Sequence, residues 1–200
     1  MILGVTGCPG SGKTVLADII ACQGWTLVNA DVIGREVVED SADVKTQLAG
    51  EFGNDIINPD GELNRRLLAR RAFSVPEKTR KLNAIVHPLL IRKLKERIIE
   101  LRSDNIKAVV DCALIFEWGI EDLFDVIVCV SADENVRKQR ILDRDRRTSS
   151  EIGDIFAAQL SEYEKMSKAD IVITNNKSVE KMKIYGMLLS ELPAYYKQYK

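Results

Sequence analysis

Short runs of apolar, often β-branched residues alternate along the chain with longer stretches in which apolar positions recur every three or four residues. The short runs lie at residues 2–6, 26–29, 107–111, 126–130 and 171–174. They are nearly continuously apolar, which is typical of strands buried on both faces of a parallel sheet. Strands that alternate with helices predict an α/β fold with a doubly wound, five-stranded parallel sheet.

The stretch between the second and third predicted strands is far longer than one crossover helix requires. Its apolar spacing predicts helices at residues 42–52, 62–73, 77–86 and 89–101, with turns at 58–61 and 74–76. We therefore expect an inserted helical subdomain between these two strands.

A charged helix pair at residues 133–145 and 149–168 precedes the last strand, and a final helix is predicted at 178–199.

Composition narrows the function classes. The 29 basic and 30 acidic residues leave a net charge of −1, so no nucleic-acid or membrane partner is indicated. The first strand begins at Ile2, leaving no room for a signal peptide, and we expect a cytoplasmic protein. Its four cysteines are far apart in sequence and contain no C-x-x-C pair, so we expect buried, reduced thiols rather than a zinc site.

Residues 7–14 read GCPGSGKT and fit the phosphate-binding pattern G-x-x-x-x-G-K-[ST] directly after a strand. The glycines let successive N–H groups face phosphate oxygens, and the following helix adds its positive dipole end. Lys13 would reach the β and γ phosphates, and the Thr14 hydroxyl suits a Mg²⁺ shell. This pattern predicts binding of a nucleoside triphosphate. The predicted ATP-binding residues here are Gly7, Cys8, Pro9, Gly10, Ser11, Gly12, Lys13, Thr14 and Val15.

Two aspartates follow predicted strands. Asp31 comes after the second strand, where a carboxylate could take the proton of an attacking hydroxyl, or could simply cap the next helix. Asp111 ends the third strand, a position that often holds a Mg²⁺ water, although a strand-end cap is the alternative. Glu117 follows and could hydrogen-bond substrate or Asp111.

Arginines at i, i+3 and i+7 share one face of the first helix of this charged pair: Arg137, Arg140 and Arg144, with Arg146 and Arg147 beyond. They could close over the triphosphate, or form a solvated charged face paired with nearby acids. His87 precedes Pro88 and is predicted to lie, N-cap-like, at a helix start. Arg35 and Asn64 are candidate phosphate contacts or ordinary surface residues.

Ordered motifs across nearly the whole chain resemble the dephospho-coenzyme A kinase family. They lie at residues 3–7, 31–38, 60–65, 82–88, 114–117, 158–159 and 169–176, together with the arginine-bearing lid helix. The tract from residue 60 to 88 is the specific part, because other phosphate-loop kinases share the loop without this insertion.

The resemblance implies a single domain in three parts: a nucleotide-binding core at residues 1–33, 106–132 and 169–200, a helical substrate-binding insertion at 34–105, and a lid at 133–168. It implies that ATP phosphorylates the ribose 3′-hydroxyl of dephospho-coenzyme A, with Mg²⁺ held by Thr14 and Asp111. It implies Asp31, Lys13 and Arg140 as catalytic residues, and Arg140, Arg144 and Asn175 as further ATP contacts, Asn175 on the adenine side. The implied acceptor contacts are Asp31, Arg35, Asn64, His87 and Glu117.

Two segments depart from the family pattern, at three positions. Cys8 and Pro9 stand where the family usually has Gly-Ile, and Ala113 stands where it usually has proline. Pro9 removes one N–H that could face phosphate, which bears on ATP affinity or loop rigidity.

Two other functions stay open at this point. A kinase of another nucleotide or nucleoside would use the same loop with a different insertion. A nucleotide-dependent switch is the other class, but guanine readers generally need Asn-Lys-x-Asp, and here Val179 stands in place of the aspartate. For oligomeric state we expect a monomer, with a small homo-oligomer as the alternative.

Overall fold

The computed structural model describes residues 1–145, 152–153, 156–176 and 179–193. Within these residues five strands form one all-parallel sheet in the order β2-β3-β1-β4-β5. They are β1 (Ile2–Thr6), β2 (Thr26–Asn29), β3 (Ala108–Asp111), β4 (Val126–Ser131) and β5 (Ile171–Thr174). The predicted α/β class and parallel sheet are confirmed.

Helices connect and cover these strands. In chain order they are α1 (Lys13–Ala21), α2 (Ala30–Asp40), α3 (Ala42–Phe52), α4 (Arg65–Ala72), α5 (Pro76–Ser103), α6 (Glu134–Asp145), α7 (Glu162–Lys168) and α8 (Val179–Ser190). Single 3₁₀ turns lie at Asn54–Ile56 and Glu121–Leu123.

The chain divides into two compact units. The core unit consists of Met1–Asn29 with Ile98–Lys200, and the helical unit consists of Ala30–Arg97. These bounds differ by a few residues from the predicted insertion, and the three-part division into core, insertion and lid stays a prediction.

The core unit packs apolar side chains of the sheet against α1 and α8. Leu3 and Val5 of β1 lie in one buried cluster with Leu16 of α1 and Met182 of α8. On the opposite face a Cβ at Gly4 would lie 2.9 Å from side-chain atoms of Ile115 and Phe124, so the sheet is closely covered there too. Burial on both faces explains why the strands are continuously apolar.

The helical unit has its own apolar interior, which includes Leu48, Phe52, Ile56 and Leu94. Helix α3 begins after Ser41, whose hydroxyl oxygen accepts from the Val44 N–H at 3.3 Å. Further on, the ammonium groups of Lys78 and Lys81 both lie 2.9 Å from the Glu51 carboxylate and link α5 to α3. These two cations lower the pKa of Glu51.

Helix α5 corrects the prediction of two helices that meet at His87 and Pro88. It runs unbroken from Pro76 to Ser103 with Pro88 inside it, so His87 is a helix-interior residue and not a cap. Proline normally breaks a helix because it lacks an N–H and crowds the preceding turn. Here Val86, Leu90 and Leu94 are buried at successive intervals of four residues, and this packing holds the helix through the proline.

Other predicted helix bounds also change. The helix expected over residues 62–73 begins only at Arg65, because residues 57 and 63 pair in a short antiparallel bridge around the turn at Asn58. In place of a single helix over 149–168, the described residues leave the helical state at 158–161, and α7 starts after Ser161 with a capping box to Glu164. The last helix begins at Val179 and is interrupted after Ser190 by a turn at residue 191, and residues 192–193 are again helical; the predicted continuation over 194–199 lies outside the described residues.

Candidate functional site

The loop between β1 and α1 has the backbone of a phosphate cradle. Gly7, Gly10 and Gly12 adopt φ values of +147°, +80° and +97°, which side chains with a Cβ rarely adopt. Gly10 is also crowded, because a Cβ there would lie 2.6 Å from the carbonyl oxygen of Arg137. The glycines of the motif therefore serve both the turn and its close packing.

Helix α1 begins directly after this loop. Its N-cap position is Gly12, which has no side chain to cap the helix, so the N–H groups of the first turn are left to face an anion. Within the loop, the Ser11 N–H donates to the Cys8 carbonyl at 3.1 Å. Pro9 contributes no N–H at all. Two positions of the loop therefore have no N–H left for phosphate, because Pro9 has none and that of Ser11 is bonded to Cys8.

Thr14 and Asp111 form the clearest side-chain pair of the site. The Thr14 hydroxyl donates to Asp111 Oδ2 at 2.7 Å, and Asp111 is only 5% exposed. Strand pairing explains their approach, since Asp111 at the end of β3 lies opposite Val5 of β1. A hydroxyl beside a buried carboxylate is a hard-oxygen donor set, which suits Mg²⁺.

Within the described ranges, no larger metal cluster accompanies this pair. Among the residues that the structure describes, no three His, Cys, Asp or Glu side chains come together as a metal site. Mg²⁺ in phosphate-transfer sites keeps several waters and binds through few protein ligands, so a two-residue set is consistent with it.

Arg140 and Asn175 both contact the backbone of the loop. Arg140 donates from Nη1 to the Gly10 carbonyl at 3.2 Å and from Nη2 to the Asn175 carbonyl at 2.9 Å. Asn175, just after β5, donates from Nδ2 to the Ser11 carbonyl at 2.7 Å. Two predicted ATP contacts are therefore brought to the phosphate loop, where they also brace its conformation.

The arginines that were predicted to share one face of the lid helix do not form a single exposed surface. Arg137 is 6% exposed, donates from Nε to the Ala132 carbonyl at 2.9 Å, and lies 4.5 Å from the centre of the Phe156 ring. It is a packed core residue, whereas Arg144 is exposed. The predicted positions Arg146 and Arg147 lie outside the described residues.

Cys8 in the phosphate loop and Cys129 on β4 are both buried. Burial raises the pKa of the Cys8 thiol, and burial likewise raises the pKa of Cys129 on β4 to about 12. Both remain neutral thiols near neutral pH and are poor nucleophiles. The expectation of four buried cysteines is wrong for Cys22, which is exposed; all four are free thiols.

Glu117 lies in a buried polar network that the sequence did not reveal. Its Oε1 accepts from Lys165 Nζ at 2.8 Å and from the Leu160 N–H at 3.0 Å. Lys165 is completely buried on α7. A lysine is normally a surface residue, so nothing in the local pattern signalled this role; the preceding capping box at Ser161 could at least have located its helix.

The remaining predicted acceptor contacts belong to the helical unit. Asp31 and Arg35 are exposed and lie one turn apart on α2, on the same helix face. Asn64 is the N-cap of α4, accepting from the Leu67 N–H at 3.0 Å. His87 is partly buried in α5, and burial lowers the pKa of its imidazole.

Comparison with known proteins identifies the family. The family model described as CoaE, dephospho-CoA kinase, matches residues 1–181. The chain belongs to the dephospho-CoA kinase family. As a member of this kinase family the protein is an enzyme that transfers a phosphoryl group, and neither of the rival functions is favoured.

Individual relatives agree with the family assignment. A dephospho-CoA kinase from Corynebacterium efficiens is 35% identical over 182 residues, which cover 90% of this chain and 91% of that protein. A solved structure from Thermus thermophilus is 30% identical with a TM-score of 0.74 and covers 96% of this chain and 97% of its own.

A second solved structure, the dephospho-CoA kinase from Campylobacter jejuni, is similar in fold. It has a TM-score of 0.65 at 19% identity and covers 94% of each chain. At that identity the likeness speaks for the fold alone.

Proposed function

We propose that the protein transfers the γ-phosphoryl group of ATP to the ribose 3′-hydroxyl of dephospho-coenzyme A, giving coenzyme A and ADP in the last step of coenzyme A synthesis. The single observation that carries this proposal is a phosphate loop with a Thr14–Asp111 pair in a chain that matches the family over residues 1–181. Family membership supports ATP as the donor.

The donor half of the site comprises the phosphate loop and the two side chains that contact its backbone, Arg140 and Asn175. The N–H groups of Gly10 and of residues 12–15 would hold the phosphates, and the Lys13 ammonium would neutralise the β and γ oxygens. The contact of Arg140 with the Gly10 carbonyl supports a role for its guanidinium in stabilising charge on the transferring phosphoryl. Asn175 would border the adenine, and Arg144 would reach the triphosphate from α6.

Thr14 and Asp111 would hold Mg²⁺, with Asp111 acting in part through a water. When bound, the ion neutralises phosphate charge and aligns the β and γ oxygens. Their hydrogen bond at 2.7 Å keeps the hydroxyl and the carboxylate together before the ion arrives. This pre-organisation reduces the ordering that binding requires.

Asp31 would orient the acceptor hydroxyl and accept its proton as the bond to phosphorus forms. Its place, two residues after the end of β2, supports the role, because ligands of doubly wound sheets gather at the carboxyl ends of strands. Arg35, Asn64, His87 and Glu117 would contact the acceptor. Positioning, rather than covalent chemistry, would be the main contribution of these side chains.

The setting of the enzyme is proposed on composition and family. We propose a cytoplasmic monomer that binds small molecules and neither nucleic acid nor membrane. No helix within the described ranges is long and apolar enough to cross a membrane. The near-balanced charge of −1 gives no general attraction for polyanions.

A coupled assay of ADP release tests the proposal. With ATP and Mg²⁺, release should require dephospho-coenzyme A, and nucleoside monophosphates should not replace it. Phosphorylation of monophosphates without dephospho-coenzyme A turnover would indicate a kinase of another nucleotide. Tight GTP binding with no phosphoryl transfer to any acceptor would indicate a switch protein.

A further inference from the structure

The ammonium of Lys165 is buried in the core unit with all its hydrogen-bonding capacity in use. The side chain is 0% exposed, and Nζ donates to the Ala113 carbonyl at 2.5 Å, to Glu117 Oε1 at 2.8 Å and to Gln159 Oε1 at 3.2 Å. An ammonium has three N–H donors, so these three acceptors satisfy it completely. The group is therefore held in one position.

The carboxylate of Glu117 is held at one oxygen only. Oε1 accepts from both Lys165 and the Leu160 N–H, which fixes the plane of the group. Oε2 is buried, yet within the part of the chain that the structure describes it has no hydrogen-bond donor. Buried carboxylate oxygens rarely stay unsatisfied, so Oε2 retains the capacity to accept a further hydrogen bond.

The same network adjoins the strand that leads into the phosphate loop. The Ala113 carbonyl that Lys165 contacts also accepts from the hydroxyl of Thr6, the last residue of β1, at 3.0 Å. Within the loop itself, Cys8 Sγ lies 3.9 Å from the Leu160 carbonyl. Lys165 and Glu117 therefore lie beside the donor half of the site rather than in a remote part of the core.

Stability alone is a weak reason for this arrangement. Replacing a buried ion pair by apolar residues of similar volume is often neutral or stabilising, because the attraction of the pair barely offsets its desolvation. A half-satisfied carboxylate is less favourable still. Its retention beside the phosphate loop points to a positioning function.

We propose that Lys165 is a positioning residue, which holds Glu117 so that Oε2 accepts a hydrogen bond from a hydroxyl or amide N–H of the acceptor substrate. The proposal rests on the proposed function for its acceptor. Lys165 itself touches no substrate and acts through Glu117.

A double-mutant cycle tests this assignment. The variants are Lys165→Met, Glu117→Gln and the double variant, with Lys168→Met as the matched control, since Lys168 is an exposed lysine on the same helix. We expect each single variant to raise KM for dephospho-coenzyme A about tenfold or more while KM for ATP stays unchanged. The double variant should show no further rise, because the two residues act as one unit.

Thermal unfolding distinguishes a positioning role of Lys165 from a purely stabilising one. Lys165→Met leaves a buried charge without its counter-ion and should lower Tm, and the double variant should recover Tm without recovering KM. If Lys165→Met lowers Tm but leaves KM for dephospho-coenzyme A unchanged, or if the two KM effects multiply in the double variant, the positioning role is wrong.

The cycle stays decisive if Lys165→Met does not fold. Glu117→Gln and the double variant should then share one KM for dephospho-coenzyme A, and a higher KM in the double variant would overturn the proposal. Failure of the proposed function would be seen separately, as a wild-type protein that does not turn over dephospho-coenzyme A.

Discussion

At the scale of single residues, the role proposed for each oxygen-bearing side chain of the site depends on its burial and on the groups around it. Thr14 and Asp111 are 97 positions apart in sequence, yet they share a hydrogen bond of 2.7 Å. Asp31, by contrast, is exposed in the first turn of α2.

Asp31→Asn tests the base. The amide keeps the shape but takes up no proton, so turnover should fall by about 10²-fold to 10⁴-fold while ATP affinity is kept. Steady-state kinetics and ATP titration measure the two quantities. Asp43→Asn is the control, because Asp43 is also an acid in a helix first turn, that of α3. Wild-type turnover by Asp31→Asn would refute the assignment.

The only histidine in the chain allows a clean pH experiment. Burial lowers the pKa of His87, so the unfolded chain binds its proton more readily than the folded protein does. The free energy of unfolding should therefore fall as pH drops through the ordinary histidine pKa of about 6.5 toward the lower folded value.

Urea unfolding of wild type and His87→Gln at pH 7.5 and pH 5.5 measures this effect. The variant should lose less stability than wild type between the two conditions, because it has no imidazole to charge. Equal losses in the two proteins would mean that His87 titrates alike in the folded and unfolded states.

At the scale of elements, the phosphate loop depends on glycines for two separable reasons, conformation and space. Gly10 and Gly24 have nearly the same φ, +80° and +83°. A Cβ at Gly10 would meet the Arg137 backbone, whereas one at Gly24 would meet nothing within 4 Å. The pair therefore separates backbone strain from crowding of the loop.

Gly10→Ala should weaken ATP binding at least about tenfold, since the loop must move away from α6 to admit the methyl group. Gly24→Ala should cost about 1–3 kcal/mol of stability from backbone strain and leave ATP affinity unchanged. Calorimetric titration with ATP and urea unfolding measure both. Equal ATP affinities in the two variants would show that the contact with Arg137 does not shape the loop.

Asn64 combines a structural role with a proposed binding role. Its side chain caps α4, so Asn64→Ala should lose about 1 kcal/mol of stability, while Asn64→Ser keeps a capping oxygen. If Asn64 also contacts the acceptor, Asn64→Ser should retain stability but raise KM for dephospho-coenzyme A.

Ser41→Ala is the matched control, because it removes the cap of α3 at a position that has no proposed substrate contact. It should lower the free energy of unfolding and leave KM alone. A wild-type KM in Asn64→Ser would show that Asn64 is a helix cap and does not contact the acceptor.

At the scale of the whole molecule, the two units carry different proposed tasks. The core unit holds the phosphate loop and its contacts with Asp111, Arg140 and Asn175. The helical unit, Ala30–Arg97, carries Asp31, Arg35, Asn64 and His87. Binding of the phosphoryl donor should therefore affect the core unit, and binding of the acceptor should affect the helical unit.

Amide hydrogen exchange with each ligand tests that division. ATP with Mg²⁺ should slow exchange in residues 7–16 and around Arg140, because binding suppresses local opening of the loop. Dephospho-coenzyme A should slow exchange in α2 and at the start of α4. Protection by dephospho-coenzyme A confined to the core unit would contradict an acceptor site built on the helical unit.

Much of the fold was predictable because its signals are local. The strand runs are apolar through burial on both faces, and three of the five, β1, β2 and β5, have the predicted bounds. The predicted helix break at Pro88 was wrong, because packing of Val86, Leu90 and Leu94 outweighs a local preference. Residue roles at the site stay predictions.

The sequence by itself determined the strands of the sheet, the phosphate loop and the family. The first two depend on residues that are neighbours in the chain, and the family is recognised from the order of its motifs. Only the tertiary structure decided which polar groups are buried together. It placed Arg137 in the core, Arg140 on the loop carbonyls and Lys165 against Glu117. These contacts join residues 19 to 130 positions apart or depend on burial by other elements, and spacing along the chain cannot specify them.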